Sequence, residues 1–313
     1  MPQVLCVVGP TATGKTKMGV ALCKRFGGEV VSVDSMQIYR GMPIGTAAPT
    51  PEEMDGVPHH MIAVADPRES WSVAKYVEQA DECVRDILSR GKLPVLVGGT
   101  GLWLDALVRG NDFAPGAQGE KTRLALQKRV ETEGAEVLLE ELRGIDPEAA
   151  AKLHLKDEKR ILRALEVYAE TGETITAHNA KTRGKPPKYN ALYIGLDFAD
   201  RQDLRDRIDH RVDTMVQQGL LQEVRDLLAA GLPRDATALQ AIGYKQFLGV
   251  NEGKITEQDA VEEVKLRSRQ YAKRQLTWLR RNNDIHWIYW EKEPDFSAGA
   301  QNATEYLTAC GLR

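Results

Sequence analysis

The chain has 313 residues and a net charge of −3, with 42% hydrophobic and 28% charged residues, the composition of a soluble globular protein of one large domain or two ordinary ones. No apolar run approaches the roughly 20 residues needed to span a bilayer, and the first strand pattern begins so close to Met1 that no leader peptide is expected. Cys6, Cys23, Cys83 and Cys310 are scattered without a C-x-x-C pair. That pattern argues against a zinc site or disulfide framework, fits a reducing cytoplasm and predicts four small buried hydrophobes.

Residues 4–8 (VLCVV) are an apolar run suited to a strand buried on both faces. Gly9, Pro10, Thr11, Ala12, Thr13, Gly14, Lys15 and Thr16 then spell G-x-x-x-x-G-K-T, and Met18, Ala21, Leu22 and Phe26 follow at helical spacing. Between a strand and a helix, this is the phosphate-loop pattern. Glycines turn successive N–H groups onto an anion, the helix adds its positive dipole end, and Lys15 adds a charge. Thr16 is placed to ligate magnesium. The loop pattern by itself does not say which phosphate compound is held.

Residues 30–33 form a second short strand that ends in Asp34, Ser35, Met36 and Gln37. In open α/β sheets ligands collect at the carboxyl ends of strands, so these polar residues are expected to face the phosphate loop. A Gly-, Pro- and Thr-rich loop covers 41–51, and the adjacent His59 and His60, with no acidic partner in sight, read as surface loop residues. Residues 72–90 predict an amphipathic helix capped by Ser70 or Ser72 and ended by Gly91. A third strand at 93–97 runs into Gly98, Gly99, Thr100 and Gly101, then a helix at 102–108. The succession predicts a parallel, doubly wound α/β sheet of the P-loop type. No acidic residue ends the third strand, and Asp34 is the one strand-end carboxylate in this reading. That disfavours a motor or ATPase and leaves kinases and group transferases.

Composition shifts at 111–119, and from 120 to about 178 the pattern is helical throughout, so an all-helical insertion is expected. The basic link KTRGKPPK (181–188) leads to a strand at 191–198, a long helical region at 200–228, further helices at 241–248 and 257–281, and WIYW at 287–290, a final strand or packing segment. The division expected is 1–115 as the first part of the α/β core, 116–188 as the insertion, and 189–313 as the return to the core plus C-terminal helices. Residues 265–281 hold seven Lys or Arg and no acid, a local basic face despite the negative total.

Four separated segments carry a resemblance: GPTATGKT (9–16), DSMQIYRGMPIGTAAP (34–49), LVGGTGLW (96–103) and AKRQLTWLRR (272–281), supported by KRILRALEVY (159–168), RIDHRVDTMVQQGLLQEV (207–224) and AIGYKQF (241–247). In this order they resemble the bacterial tRNA dimethylallyltransferase (tRNA isopentenyltransferase) family. The resemblance implies transfer of a dimethylallyl group from dimethylallyl diphosphate to N6 of adenosine 37 in tRNAs reading codons that begin with U, with release of diphosphate. The chemistry fits the residues. An exocyclic amine is a poor nucleophile, so Asp34 suits a general base, and the loop amides, Lys15 and magnesium at Thr16 suit the charge developing on the leaving diphosphate.

The resemblance also implies diphosphate or catalytic roles for a loop threonine, Thr11 or Thr13, and for Arg211, with Arg205 and Arg207 on the same helical stretch. It implies adenosine or tRNA contact at Asp34, Ser35, Met36, Gln37 and Thr100. The same holds for Arg123; for Lys159, Arg160, Ile161, Leu162 and Arg163; for Ala241, Ile242, Gly243, Tyr244, Lys245 and Gln246; and for Lys273, Arg274, Gln275, Leu276, Thr277, Trp278, Leu279 and Arg280. Each has a plainer alternative: Asp34 as a strand-end cap, Ser35, Gln37 and Thr100 as turn residues, Arg211 and the basic segment as solvated helix faces. The partners expected are the tRNA anticodon stem-loop and dimethylallyl diphosphate, with Mg2+ as cofactor, for a cytoplasmic monomer. A small-molecule P-loop kinase and an adenine-nucleotide prenyltransferase are the competing readings.

Overall fold

In β1 (Gln3–Val8) successive side chains alternate between two cores: Val4, Cys6 and Val8 enter one, and Leu5 and Val7 the other. That is the period-2 signature of a strand covered on both faces. The computed structural model describes residues 3–111 and 120–312, and the chain divides into two units, Met1–Val108 with Lys188–Arg313, and Arg109–Pro187.

In chain order the first unit opens with β1, α1 (Lys15–Phe26), β2 (Gly28–Val33), α2 (Pro43–Thr46), α3 (Pro51–Met54), β3 (His59–His60), α4 (Val73–Ser89), β4 (Leu93–Gly98) and α5 (Gly101–Arg109). The second unit carries α6 (Glu120–Glu133), α7 (Ala135–Ile145), α8 (Pro147–Ala150), α9 (Glu158–Thr171) and α10 (Ile175–Arg183). The first unit then resumes with β5 (Asn190–Phe198), α11 (Arg201–Gln217), α12 (Leu220–Ala229), α13 (Tyr244–Asn251), α14 (Glu257–Leu279), β6 (Ile285–Trp290) and α15 (Phe296–Ala309). Its six strands order as β3-β2-β4-β1-β5-β6, and every neighbouring pair is parallel. The doubly wound α/β sheet expected from the sequence is present. WIYW lies in the edge strand β6, and Ser72 caps α4 by accepting from the Lys75 amide.

Several expectations change. His59 and His60 are a two-residue edge strand, and His60 Nε2 lies 2.8 Å from Glu29 Oε2, an acidic partner 31 residues away in sequence. Gly219, at φ 101, splits the long helical region into α11 and α12. Cys6 and Cys23 are buried, but Cys83 is half-buried and Cys310 exposed. The second unit builds its own core from Leu126, Leu138, Leu142, Ile161 and Leu165. Leu124, Val137 and Leu155, which share its apolar pattern, stay exposed.

The glycines after β4 have a packing reason. A Cβ on Gly99 would lie 2.1 Å from Gln275 Nε2, and one on Gly101 would lie 2.2 Å from Trp278 Cδ1. Only bare backbone lets α14 approach this closely. The Gly-Gly-Thr-Gly run is the seat of the basic helix.

Candidate active site

The carboxyl ends of β1, β2 and β4 open into a cavity of about 650 Å3. The phosphate loop forms one wall. Its turn uses Ala12 at φ 67 and Gly14 at φ 82, and Gly14, the N-cap of α1, offers no side-chain acceptor to the helix amides. The first turn of α1 therefore keeps unsatisfied N–H groups beside Lys15 and Thr16, both on the cavity wall, and these suit an anion. Lys15 Nζ donates to the Pro10 carbonyl at 2.7 Å. Burial, with the Arg211 guanidinium nearby, pushes the Lys15 pKa down to about 7 against an opposing pull from Asp34.

Asp34 lines the same cavity. Its Oδ1 accepts from the Met36 amide (2.8 Å) and the Gln37 amide (3.3 Å), and among the described residues no hydrogen bond reaches Oδ2. The cap reading and the base reading therefore coexist on one carboxylate, one oxygen for each. Arg207 and Arg211 of α11 line the same cavity, and Arg207 Nε donates to the Ala12 carbonyl at 3.4 Å. Burial lowers the Arg211 pKa, and the Asp34 carboxylate opposes that. Arg205 points elsewhere, to Gln202.

Some candidates move to other roles. Thr13 is 1% exposed and its hydroxyl donates to the Pro10 carbonyl, so its side chain belongs to the loop's interior. Thr11 lines the cavity instead. Gln37 has spent its amide: Nε2 donates to the Thr46 and Ala47 carbonyls, and Oε1 accepts from the Ser32 hydroxyl. As it stands it has no free pair of groups to read a base edge. Ser35, Met36 and Thr100 lie behind the wall, where the Thr100 hydroxyl accepts from the Ser35 amide.

The basic helix divides likewise. Of its cations, Lys265, Arg267, Arg269 and Arg280 are paired with Asp213, Glu263, Asp209 and Asp197. Among the described residues, Lys273, Arg274 and Arg281 have no carboxylate partner. Gln275, 7% exposed, accepts from the Thr11 amide (3.0 Å) and donates to the Gly99 carbonyl (3.0 Å), so it braces the phosphate loop. Leu276 and Leu279 are core, Thr277 is exposed, and Trp278 donates to Asp105 at 2.8 Å. In 241–246, Ala241, Gly243 and Tyr244 are buried, Ile242 packs on the core and Gln246 caps the Gly243 amide, leaving Lys245 exposed. In the second unit Ile161 and Leu162 are buried, Arg163 pairs with Glu166, and Arg123, Lys159 and Arg160 are exposed. Burial removes the apolar members of these sets from contact with a polynucleotide.

Three features escape the sequence reading. Asp197 ends β5 fully buried, a second strand-end carboxylate, but Arg201 and Arg280 neutralise it. Glu223 is buried and accepts from the Ile44 and Gly45 amides (2.9 Å each) and from the Tyr244 hydroxyl (2.5 Å), which secures the 43–46 wall of the cavity. Tyr271 lines the cavity from α14. The signal for the first was the run YIGLDF; nothing local marks the other two.

Fold and site together define a parallel α/β protein in which a G-x-x-x-x-G-K-T loop, a carboxylate and two arginines line one cavity. The family model described as IPP transferase matches residues 37–282, and that described as isopentenyl transferase matches residues 2–66. A tRNA dimethylallyltransferase of Caldanaerobacter subterraneus subsp. tengcongensis is 45% identical over 307 residues, covering 97% of both chains. The crystal structure of the full-length tRNA isopentenylpyrophosphate transferase of Bacillus halodurans superposes with a TM-score of 0.73 at 41% identity, covering 99% of this chain and 96% of that one. A eukaryotic dimethylallyltransferase captured acting on tRNA gives a TM-score of 0.81 at 29% identity, covering 98% of this chain and 78% of that one. The chain belongs to the IPP transferase family.

Proposed function

We propose that the protein is a tRNA dimethylallyltransferase, moving a dimethylallyl group from dimethylallyl diphosphate to N6 of adenosine 37 in tRNAs that read codons beginning with U. The observation that carries this reading is that Asp34, Lys15 of the phosphate loop, Arg207 and Arg211 line one cavity. The N6 lone pair attacks the allylic carbon, the carbon–oxygen bond breaks, and its electron pair leaves with the diphosphate. Asp34 accepts the N6 proton, through the oxygen not engaged by the Met36 and Gln37 amides. The amides at the start of α1, Lys15 and the two arginines stabilise the negative charge that grows on the leaving group.

Thr16 is the residue that fits magnesium. No cluster of His, Cys, Asp or Glu suited to a metal exists among the described residues, so the ion would be held by this hydroxyl together with diphosphate oxygens and water, and would supply further charge neutralisation. No helix among the described residues is long and apolar enough to cross a membrane. The proposed reading has the protein work on tRNA in the cytoplasm, as a monomer.

The test is to incubate the protein with dimethylallyl diphosphate, magnesium and unmodified tRNA, then analyse nucleosides by mass. N6-dimethylallyl adenosine is expected; its absence sinks the reading. Asp34→Asn keeps the oxygen that caps the turn and should lower turnover by about 10²-fold or more while tRNA still binds. Near-normal turnover would remove Asp34 as the base.

A further inference from the structure

Two benzene rings line the cavity, Tyr271 and Phe296, and they belong to different ends of it. Phe296 attends the phosphate loop: the Lys17 ammonium lies 4.5 Å from its ring centre, and the ring packs on Trp290 at 5.1 Å. Tyr271 attends Asp34. Burial and the Asp34 carboxylate raise the phenol pKa, and the neighbouring Thr100 hydroxyl and Gln275 amide only partly offset this, so the side chain stays a neutral phenol at physiological pH. Over the Tyr271 ring, 5.7 Å from its centre, sits the Arg274 guanidinium. Arg274 is exposed and has no carboxylate partner among the described residues.

An adenine taken out of its stack loses two flat neighbours and needs a replacement face. Neither Asp34, a proton acceptor, nor Gln37, whose amide is spent on its own hydrogen bonds, supplies one. We propose that the Tyr271 ring is the stacking platform for the extruded adenine, and that Arg274, against the same ring, ties the platform to a neighbouring backbone phosphate. The proposal rests on the reading of the acceptor as an RNA adenosine. Residues three apart on a helix lie on one face, so Tyr271 and Arg274 move as a unit. A phosphate gripped outside then sets the height of the shelf on which the base lands inside. A guanidinium over the ring adds to this, since cation–aromatic contact holds the ring in place.

The test uses the full-length protein, unmodified tRNA and an anticodon stem-loop with 2-aminopurine at the acceptor position, whose fluorescence is quenched by stacking. Tyr271→Leu keeps an apolar side chain but removes the ring. It should raise KM for tRNA about ten-fold or more, leave KM for dimethylallyl diphosphate unchanged, and release the quenching of the bound probe. Tyr271→Phe should restore both low KM and quenching, which a role through the hydroxyl would not allow. A leucine variant with wild-type KM for tRNA and wild-type quenching would overturn the platform. A wild-type protein that quenches the probe yet transfers nothing to tRNA would support the platform and overturn the reaction assigned above.

Discussion

Replacing Gln275 by leucine separates two roles that one residue of the basic helix was open to, loop brace and RNA contact. Leucine fills a similar volume but strands the Gly99 carbonyl, which is buried, and the Thr11 amide, which is part-buried. Each buried group left unpaired costs about 1–3 kcal/mol, and water reaches the Thr11 side, so a total of roughly 2–4 kcal/mol is expected. At about 2–4 °C per kcal/mol for a unit of this size, Tm should fall by on the order of 5–15 °C. The loop itself is loosened at its third residue, so KM for dimethylallyl diphosphate should rise about ten-fold, the equivalent of 1.4 kcal/mol. Affinity for tRNA and its dependence on salt should stay as they are, because Gln275 carries no charge and is only 7% exposed. Thermal unfolding, steady-state kinetics and filter binding across a salt series measure the three quantities. A variant with unchanged Tm and unchanged KM for the diphosphate, but weakened tRNA binding, would refute the brace and return Gln275 to the RNA surface.

Lys15 predicts a proton linkage. Its folded pKa of about 7 lies below the 10.5 of an ordinary lysine, so the unfolded chain holds more protons between those values and this residue's contribution to stability rises with pH across that window. A diphosphate in the loop favours the ammonium form, so binding at pH 8 should take up about 0.9 of a proton at this residue and at pH 6 almost none. Calorimetry in buffers of different ionisation enthalpy reads the uptake, and Lys15→Met should abolish it; equal uptake in the variant would place the proton elsewhere. On the basic helix, alanine at Lys273, Arg274 or Arg281 should each lower the slope of log affinity for tRNA against log salt by about 1. Alanine at Arg267, whose charge is already paired with Glu263, should change it much less. Equal slopes for all four would show that internal pairing does not select the contacting cations.

The amino-acid sequence by itself determined the strand–loop–helix of the phosphate site, the parallel sheet and Asp34 at the end of β2, because each is written in neighbouring residues. Apolar runs, glycines at loop positions and a strand-end acid act within a few residues of one another. The basic character of 265–281 was equally plain, but its partition was not. Whether Arg280 is spent depends on Asp197, 83 residues away, and whether Arg269 is spent depends on Asp209, 60 residues away. The tertiary structure alone decided such pairings. It turned Thr13 inward and Thr11 toward the cavity, spent the Gln37 amide on the 46–47 carbonyls, brought Glu223 under the 43–46 wall and set Tyr271 in the wall of the cavity that Asp34 lines. The physical reason is that a polar side chain's role is fixed by which partner satisfies it, and in a buried site that partner arrives from another element of the fold.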